Sequence, residues 1–466
     1  MRTAFGNDPL RILITNIGIV NRTGTEIVAM DLACRLARLG HFPMIWTPRL
    51  RRFVGAPVLA AGIPLVSSLG DLPFVPDIIH GHHYLETIEA LQRFPGVSAI
   101  HVCHSGYWWH DAPPRHPRIR RYVAVDEFCR ERLSESGWIN DSQIQVIRNA
   151  VDLNRHTPRP PLPPRPRRAL VFSNYAGTGT HSEPVQEACR RLGIETEVIG
   201  SGAGKPCRDP ERLLPGFDLV FAKARCALEA MATGCAVIVC DTSGLGTMVT
   251  SANVRELRRW NFGFRVLDRP LSPELIMEEI RRYDSRDAAQ VSSYIREDAG
   301  LDNAVERYLG LYRIVLDEQQ PVSEDVDWHP ATVRLQVDDQ NALRLRFSTV
   351  PQSCTPGRHF TLGIGLDNGT TAPVVTAAPW PCLLMYRWID GRTGEMAVEQ
   401  GLRTIIQPPA WPGMESTYSL RVIAPSQPGD YILRATIIQE GWRWLDTLAP
   451  AVYAEAPVKV LSNEVV

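Results

Sequence analysis

The stretch 218–241 constrains the fold of this chain more than any other part of the sequence. A short apolar strand at 219–221 is followed by a turn and by strong helix formers at 227–232. Gly234 stands where the end of a helix favours a left-handed residue, and a second apolar strand follows at 236–240. Strand, helix and strand in this order predict a parallel sheet, with the helix N-terminus at the carboxyl edge of its strands.

Three charged residues belong to that predicted edge. Lys223 and Arg225 lie in the turn, and Glu229 lies one turn into the helix. A helix N-terminus beside two cations favours a phosphate group, and a carboxylate one turn further can accept hydrogen bonds from a ribose diol. The alternative interpretation is an α/β core that binds no nucleotide and carries Lys223 and Arg225 as solvated surface cations.

Composition limits the possible classes of protein. The 466 residues suffice for about three domains of ~150 residues each, and a net charge of −1 gives no support for nucleic-acid binding. The ten cysteines include no C-x-x-C pair, which is typical of reduced thiols in a cytoplasmic protein. We find no signal peptide and no apolar run of ~18 residues that would span a membrane.

Strands and helices alternate through the first two thirds of the chain. The first strand at 11–15 leads into a loop with Gly24 and Thr25, where Thr25 is the predicted N-cap of a helix at 26–39. Later segments repeat the pattern, with strands predicted at 41–46, 76–80, 98–103, 121–125, 169–173 and 196–199 and helices at 86–94, 184–192 and 307–317. A proline-rich run at 158–166 predicts an extended, semi-rigid linker.

The pattern of apolar and polar residues changes near 318–328. Apolar and polar residues then alternate, as in Val333, Leu335 and Val337, with turns every 8–12 residues or so. The pattern predicts an all-β sandwich. We therefore divide the chain into an α/β domain at 1–152, a linker at 153–168, a second α/β domain at 169–320, and a sandwich at 326–466.

Several segments together resemble GT-B glycosyltransferases, especially glycosyltransferase family four, over about residues 10–318. They are LEAMATGCAVIVCD at 228–241, PDIIH at 76–80 and VIRNAVD at 146–152. The resemblance implies two Rossmann-like domains facing across a cleft, the second binding a nucleotide sugar and the first facing the acceptor. The sequence departs from the family where Phe221 replaces the first of two glutamates, and where 177–180 lacks a basic pair. A glycine-rich turn is expected at 242–246.

The same resemblance implies roles for individual residues. His104 matches a histidine that lines the donor sugar and is the candidate catalytic residue, although it can equally be a packed or capping histidine. The loop with Gly24 and Thr25 would close over the donor, Lys223 and Arg225 would hold its diphosphate, and Glu229 would hold its ribose. No metal site is expected, because the histidines 80, 82 and 83 lack a carboxylate or cysteine partner that would complete one.

Two aromatic regions admit more than one interpretation. The cluster Tyr107-Trp108-Trp109-His110 can stack on a sugar or pack beneath a loop. The C-terminal region, with LLMYRWID at 383–390, resembles an immunoglobulin-like module appended to bacterial surface-polysaccharide enzymes. Its Trp388, Trp442 and Trp444 are predicted to be core and corner residues rather than ligand platforms.

These observations predict a cytoplasmic transferase that moves a sugar from a nucleotide diphosphate donor to an acceptor hydroxyl. We expect a retaining, metal-independent reaction without a cofactor, in surface polysaccharide or glycoconjugate synthesis. The expected partners are the nucleotide sugar and a glycan or lipid-linked acceptor, with peripheral membrane contact and no nucleic acid. Two alternatives remain: a GT-B scaffold that has lost catalysis and binds a glycan or a protein, and an epimerase acting on a nucleotide sugar.

Overall fold

The computed structural model describes residues 8–318, 330, 332–335, 342–447 and 451–461. The predicted junction at 320–326 and the strand residue Val337 lie outside these ranges. The chain forms two compact units, each drawn from several segments. The first, here called the α/β unit, comprises Met1–His82, Val97–Gly106 and Arg120–Gln319; the second, the β unit, comprises His83–Gly96, Tyr107–Ile119 and Gln320–Val466.

The first sheet has seven strands in the order β3-β2-β1-β4-β5-β6-β7. Its strands are β1 Arg11–Thr15, β2 Phe42–Trp46, β3 Leu65–Val66, β4 Ile78–His82, β5 Ser98–Cys103, β6 Ile119–Ala124 and β7 Ile144–Val146. The helices of this part of the chain are α1 Gly24–Arg38, α2 Ala56–Ala60, α3 Tyr84–Arg93 and α4 Glu127–Ser134. Nearly all residues of the central strands β1, β2, β4 and β5 are buried, because a parallel sheet is covered on both faces.

Two details of this region differ from the sequence predictions. The N-cap of α1 is Thr23 and not Thr25, because the carboxylate of Glu26 accepts hydrogen bonds from the backbone nitrogens of Thr23 and Asn21. β4 starts at Ile78 rather than at 76 and extends to His82. Asp77 instead pairs with the guanidinium of Arg11 at 2.7 Å.

The second sheet has the order β12-β11-β10-β8-β9. Its strands are β8 Arg168–Phe172, β9 Glu195–Ile199, β10 Leu219–Ala222, β11 Ala236–Asp241 and β12 Gly244–Met248. The helices of this half are α5 Ser182–Arg191, α6 Pro210–Leu213, α7 Ala224–Thr233, α8 Val254–Arg259, α9 Pro273–Ile280, α10 Ser285–Asp298 and α11 Leu301–Asp317. The predicted strand-helix-strand unit is present as β10, α7 and β11, with the two strands parallel and Gly234 left-handed at φ 98°.

The predicted glycine-rich turn at 242–246 is confirmed in part: residues 242–243 form a turn, and the antiparallel strand β12 starts at Gly244. Gly244 permits a close approach of two backbones: a Cβ atom there would lie 2.9 Å from the carbonyl oxygen of Leu267. The closing helix is confirmed as α11, although it starts at Leu301 rather than at 307, and it packs on α1 and β5.

The β unit contains two sheets around one core. The first sheet comprises β13 Leu343–Phe347, β15 His359–Asn368 and β19 Met414–Ile423. The second comprises β14 Ser353–Cys354, β16 Cys382–Asp390, β17 Met396–Val398, β18 Thr404–Ile405, β20 Gly429–Gln439, β21 Arg443–Trp444 and β22 Tyr453–Val460. Trp388, Ile364 and Leu420 meet in the shared core, so the predicted sandwich is present. Trp442, by contrast, is 39% exposed and stacks against Arg334.

The same unit also holds α3 and the segment 107–119. Trp109 is buried against Leu383, Met385 and Ile438 on the sandwich. The hydroxyl of Tyr84 donates to the side-chain oxygen of Gln407 at 2.9 Å. The aromatic cluster at 107–110 therefore supplies packing through Trp109, whereas Trp108 is 56% exposed.

Candidate functional site

The two sheets of the α/β unit contribute to one small cavity. His104 follows β5 of the first sheet, and Arg225 lies in the first turn of α7 in the second half. Both residues line a cavity of about 30 Å³, together with Asp31 of α1 and residues 147–150 of the crossing between the halves. We call it the interdomain cavity. It has room for about one water molecule.

Arg225 is held by two carboxylates. Its Nε donates to Glu229 Oε1 at 2.8 Å, and its Nη2 donates to Asp31 Oδ2 at 2.5 Å. Asp31 also accepts a hydrogen bond from Nη2 of Arg155 at 2.8 Å. Burial by itself lowers the pKa of Arg225, but Asp31 and Glu229 outweigh it and raise that pKa. Arg225 is therefore charged, and its charge is already balanced inside the protein.

Glu229, the predicted ribose ligand, lies deep in the same cluster. It is 3% exposed, and its Oε1 is 3.9 Å from Nε2 of His156. His156 is fully buried, and burial lowers its pKa. Neither ring nitrogen of His156 has a hydrogen-bond partner among the described residues. The cluster therefore has unused hydrogen-bonding capacity close to Glu229.

Lys223 lies in a second cluster, at the ends of β10 and β11. Its ammonium group pairs with Asp241 and lies 3.9 Å from the ring centre of Phe264. It is also 5.6 Å from the ring centre of Tyr175, in the loop after β8 where the basic pair is missing. The interpretation of Lys223 and Arg225 as solvated surface cations does not describe this geometry, because Lys223 is paired with the buried carboxylate of Asp241 and Arg225 with that of Glu229.

His181 belongs to the Lys223 cluster and was not singled out from the sequence. It is 2% exposed at the start of α5, and neither of its ring nitrogens has a hydrogen-bond partner in the described part of the chain. Burial lowers its pKa, with Asp241 raising and Lys223 lowering it further. Its position just before a predicted helix, after the glycine-rich loop 177–180, is the signal that would have pointed to it.

His104 is neutral at physiological pH. Its Nε2 lies 2.6 Å from Nδ1 of His82, and the two rings stack at 4.7 Å. Burial lowers the pKa of His104 to about 4. A neutral imidazole can donate or accept a hydrogen bond, so His104 fits contact with a sugar hydroxyl and not the role of a fixed cation.

The neighbouring histidines lie in the sheet and not on an exposed loop. His80 stacks on His82 at 4.7 Å, and its Nδ1 lies 2.5 Å from the hydroxyl of Tyr312. Burial, with a smaller contribution from His104, lowers the pKa of His80 to about 3. Among the described residues, no group of three or more histidine, cysteine, aspartate or glutamate side chains is arranged to hold a metal ion.

The loop before α1 holds Gly24 and Thr25, which were predicted to close over the donor. Gly24 is the first residue of α1, and the carbonyl of Thr25 accepts a hydrogen bond from the side chain of Asn16 at 3.2 Å. The residues that line the interdomain cavity in the described part of the chain include neither of them. The predicted role of Gly24 and Thr25 in closing over a donor stays a prediction.

Part of the chain matches a known protein family. Residues 22–155, which contain α1, His104 and the crossing, match the family model described as Glycosyltransferase Family 4. This segment, less than a third of the chain, is similar to that family of glycosyltransferases. This confirms the predicted enzyme class, and the two parallel sheets with an all-β C-terminal region confirm the predicted fold class. A search of curated protein sequences found no match.

Solved structures give a consistent but weaker likeness. A glycosyltransferase from Rickettsia africae ESF-5 is 14% identical with a TM-score of 0.47, covering 67% of this chain and 100% of its own. WaaG, a glycosyltransferase involved in lipopolysaccharide biosynthesis, is 11% identical with a TM-score of 0.42, covering 65% and 99%. MnaA from S. aureus, solved with UDP, is 13% identical with a TM-score of 0.42, covering 66% and 97%. At these values the likeness carries no argument about substrate.

No helix in the described residues is both long and apolar enough to cross a membrane.

Proposed function

We propose that this protein transfers a sugar from a nucleotide diphosphate donor to an acceptor hydroxyl, in surface polysaccharide or glycoconjugate synthesis. The observation that carries the proposal is the shared cavity of His104 and Arg225, one from each half of the α/β unit. The Glycosyltransferase Family 4 match at 22–155 supports it. Retention of anomeric configuration, independence of metal, absence of a cofactor and a cytoplasmic location belong to the proposal as well.

The chemistry requires stabilisation of a departing nucleoside diphosphate. The acceptor oxygen bonds to the anomeric carbon and loses its proton, while the bond to the phosphate oxygen breaks with its electron pair. Lys223 and Arg225 would bind the phosphates by exchanging a carboxylate partner for a phosphate oxygen. Glu229 would accept from the ribose, and His104 would bond a sugar hydroxyl.

Donor binding requires the interdomain cavity to open. Sites for ligands of this size have volumes of about 300 Å³ or more, and the cavity measures about 30 Å³. Opening must break the contact between Arg225 and Asp31. Closure over the bound donor would then exclude water and limit hydrolysis.

A second candidate function is a scaffold that binds a glycan or a protein without catalysis. The specific observation in its favour is Phe221, which stands at the place of the family's first glutamate and is packed in the core of the second sheet. Calorimetry with a panel of nucleotide sugars and glycans separates the two functions. The transferase predicts binding of at least one nucleotide sugar, whereas tight glycan binding with no nucleotide sugar bound would contradict it.

A further inference from the structure

A second and larger cavity runs along α1. Its volume is about 480 Å³, within the range of small-molecule sites. Residues of α1 and α2, the segment 152–155 and Leu301 form its walls. We call it the α1 groove. It shares Asp31 and Leu301 with the interdomain cavity but does not include His104, Lys223 or Arg225.

The α1 groove is rich in guanidinium groups. Arg22, Arg35, Arg38 and Arg155 line it with only two aspartates, Asp31 and Asp152. Arg35 pairs with Asp302 at 2.6 Å and Arg155 pairs with Asp31 at 2.8 Å. Within the residues that the structure describes, neither Arg22 nor Arg38 has a carboxylate partner. The groove therefore presents excess positive charge in a form that matches phosphate oxygens.

Apart from Asn154, the rest of the lining is largely apolar. Ile27, Met30, Pro57 and Leu301 contribute side chains to it. Small-molecule sites combine such walls with a few polar groups that fix the orientation of the ligand. The groove therefore fits a ligand that has an apolar part as well as an anionic group.

The position of Arg22 relative to α1 constrains the length of the ligand. Its backbone is left-handed at φ 56°, which is uncommon for a residue other than glycine. It precedes α1, whose 15 residues span about 22 Å, whereas Arg38 is the last residue of that helix. The two unpaired guanidinium groups thus originate at opposite ends of α1, which favours an elongated ligand.

We propose that the α1 groove is a binding site for an elongated, phosphate-bearing ligand with an apolar portion. Arg22 or Arg38 holds the phosphate at one end of the groove, and Ile27, Met30 and Leu301 contact the apolar portion. The groove adjoins the interdomain cavity at Asp31 and Leu301 but includes none of the proposed donor-binding residues His104, Lys223 and Arg225, and the proposal does not depend on the proposed transferase activity. Its ligand is either a lipid headgroup with its chains or a water-soluble phosphate ester.

Calorimetry on the full chain tests the proposal with two probes. Glycerol phosphate offers the phosphate alone, and dihexanoyl phosphatidate, kept below its micelle concentration, adds apolar chains. We expect binding of at least one probe. The double variant Arg22→Ala/Arg38→Ala should weaken it at least about tenfold, since charge-assisted hydrogen bonds are lost. Tighter binding of phosphatidate than of glycerol phosphate identifies a lipid ligand, whereas equal binding contradicts the proposed apolar portion and leaves a site for a soluble phosphate ester.

Matched variants complete the experiment. Arg344→Ala/Arg392→Ala removes two exposed arginines of the β unit and should leave binding unchanged. Lys223→Ala should also leave it unchanged, which separates the groove from the donor site. Thermal unfolding of each variant verifies that it is folded. Failure of both probes to bind the wild-type protein overturns the proposal, and so does binding to Arg22→Ala/Arg38→Ala within about twofold of wild type.

Discussion

The guanidinium of Arg225 lies 2.5 Å from the carboxylate of Asp31, 194 positions away in the sequence and in the other half of the α/β unit. The same guanidinium contacts Glu229 at 2.8 Å. A cation expected to bind the donor phosphates is therefore already paired, and its partner connects the two halves beside His104. Phosphate binding and separation of the halves must both break this one contact.

Replacement of Asp31 tests that conclusion. We expect Asp31→Asn to tighten nucleoside diphosphate binding, because the negative charge that competes with phosphate for Arg225 is removed. The same change should lower the free energy of unfolding by about 1–3 kcal/mol, because the buried guanidinium of Arg225 and the partly exposed guanidinium of Arg155 both lose a charged partner. Calorimetry and urea unfolding measure the two effects.

The matched control is Glu131→Gln, which breaks the pair with Arg265 at 2.6 Å. That pair also connects the two halves, but both of its side chains are more than two fifths exposed. It should change the free energy of unfolding by less than about 1 kcal/mol and leave nucleotide affinity unaltered. Equal effects of the two substitutions would show that Asp31 does not compete for Arg225.

Lys223 provides a direct test of diphosphate binding. Lys223→Ala should weaken binding of a nucleoside diphosphate by about 1–3 kcal/mol, because a charge-assisted hydrogen bond is lost. Calorimetry measures the change, with Lys459→Ala as the control at an exposed lysine of the β unit. Unchanged affinity in Lys223→Ala would remove this residue from the site.

Acid should destabilise the protein through its buried histidines. Burial, the larger cause, and the neighbouring His104 lower the pKa values of His80 and His101 to about 3. The unfolded chain, with histidine pKa values near 6.5, binds more protons between about pH 3 and 6.5. The free energy of unfolding therefore falls as the pH drops through that window, by on the order of 3 kcal/mol for His80 alone at about pH 4.

Urea unfolding at about pH 7 and about pH 5 measures this slope. His80→Gln should flatten it, since glutamine keeps a polar partner for Tyr312 and does not titrate. The exposed residue His359 offers a control, and His359→Gln should leave the slope as in wild type. Because the pKa of His101 is lowered as well, only part of the slope should disappear, and a slope unchanged in His80→Gln would assign the acid sensitivity to other groups.

Two adjacent tryptophans test the packing of the segment 107–119. Trp109→Ala should lower the free energy of unfolding by about 3–5 kcal/mol, because a side chain buried against Leu383 and Met385 is removed. Trp108→Ala, at a side chain that is 56% exposed, should change it by less than about 1 kcal/mol. Similar effects of the two substitutions in urea unfolding would contradict the packing of Trp109.

Local patterns predicted most of the secondary structure. Apolar runs predict β10 and β11. Gly234 predicts where α7 ends, because a left-handed residue stops a helix. The antiparallel strand β12 pairs with β11 across the short turn at 242–243, and it escaped prediction because the glycines at 244 and 246 are typical of a loop and not of a strand interior. Local signals also placed the cap of α1 at Thr25 instead of Thr23, since both threonines fit the pattern.

The sequence predicted only part of the candidate site. His104 and Arg225 were predicted and do line one cavity, but Asp31 was missed because it neutralises a residue 194 positions away. His181 was missed because its burial beside Lys223 depends on the loop after β8. Ion pairs between distant segments decide which cations are free to bind a phosphate. The spacing of residues along the chain does not predict these ion pairs.

Release of nucleoside diphosphate from a panel of nucleotide sugars, by the wild-type protein and by a folded His104→Ala variant, tests the central claim most directly. The wild-type protein should release the diphosphate from at least one donor, faster when an acceptor is present. The variant should release it at least about a hundredfold more slowly, through loss of a contact to the transferring sugar. Equal rates in the two proteins, or no release from any donor, would contradict a transferase built around His104 and Arg225.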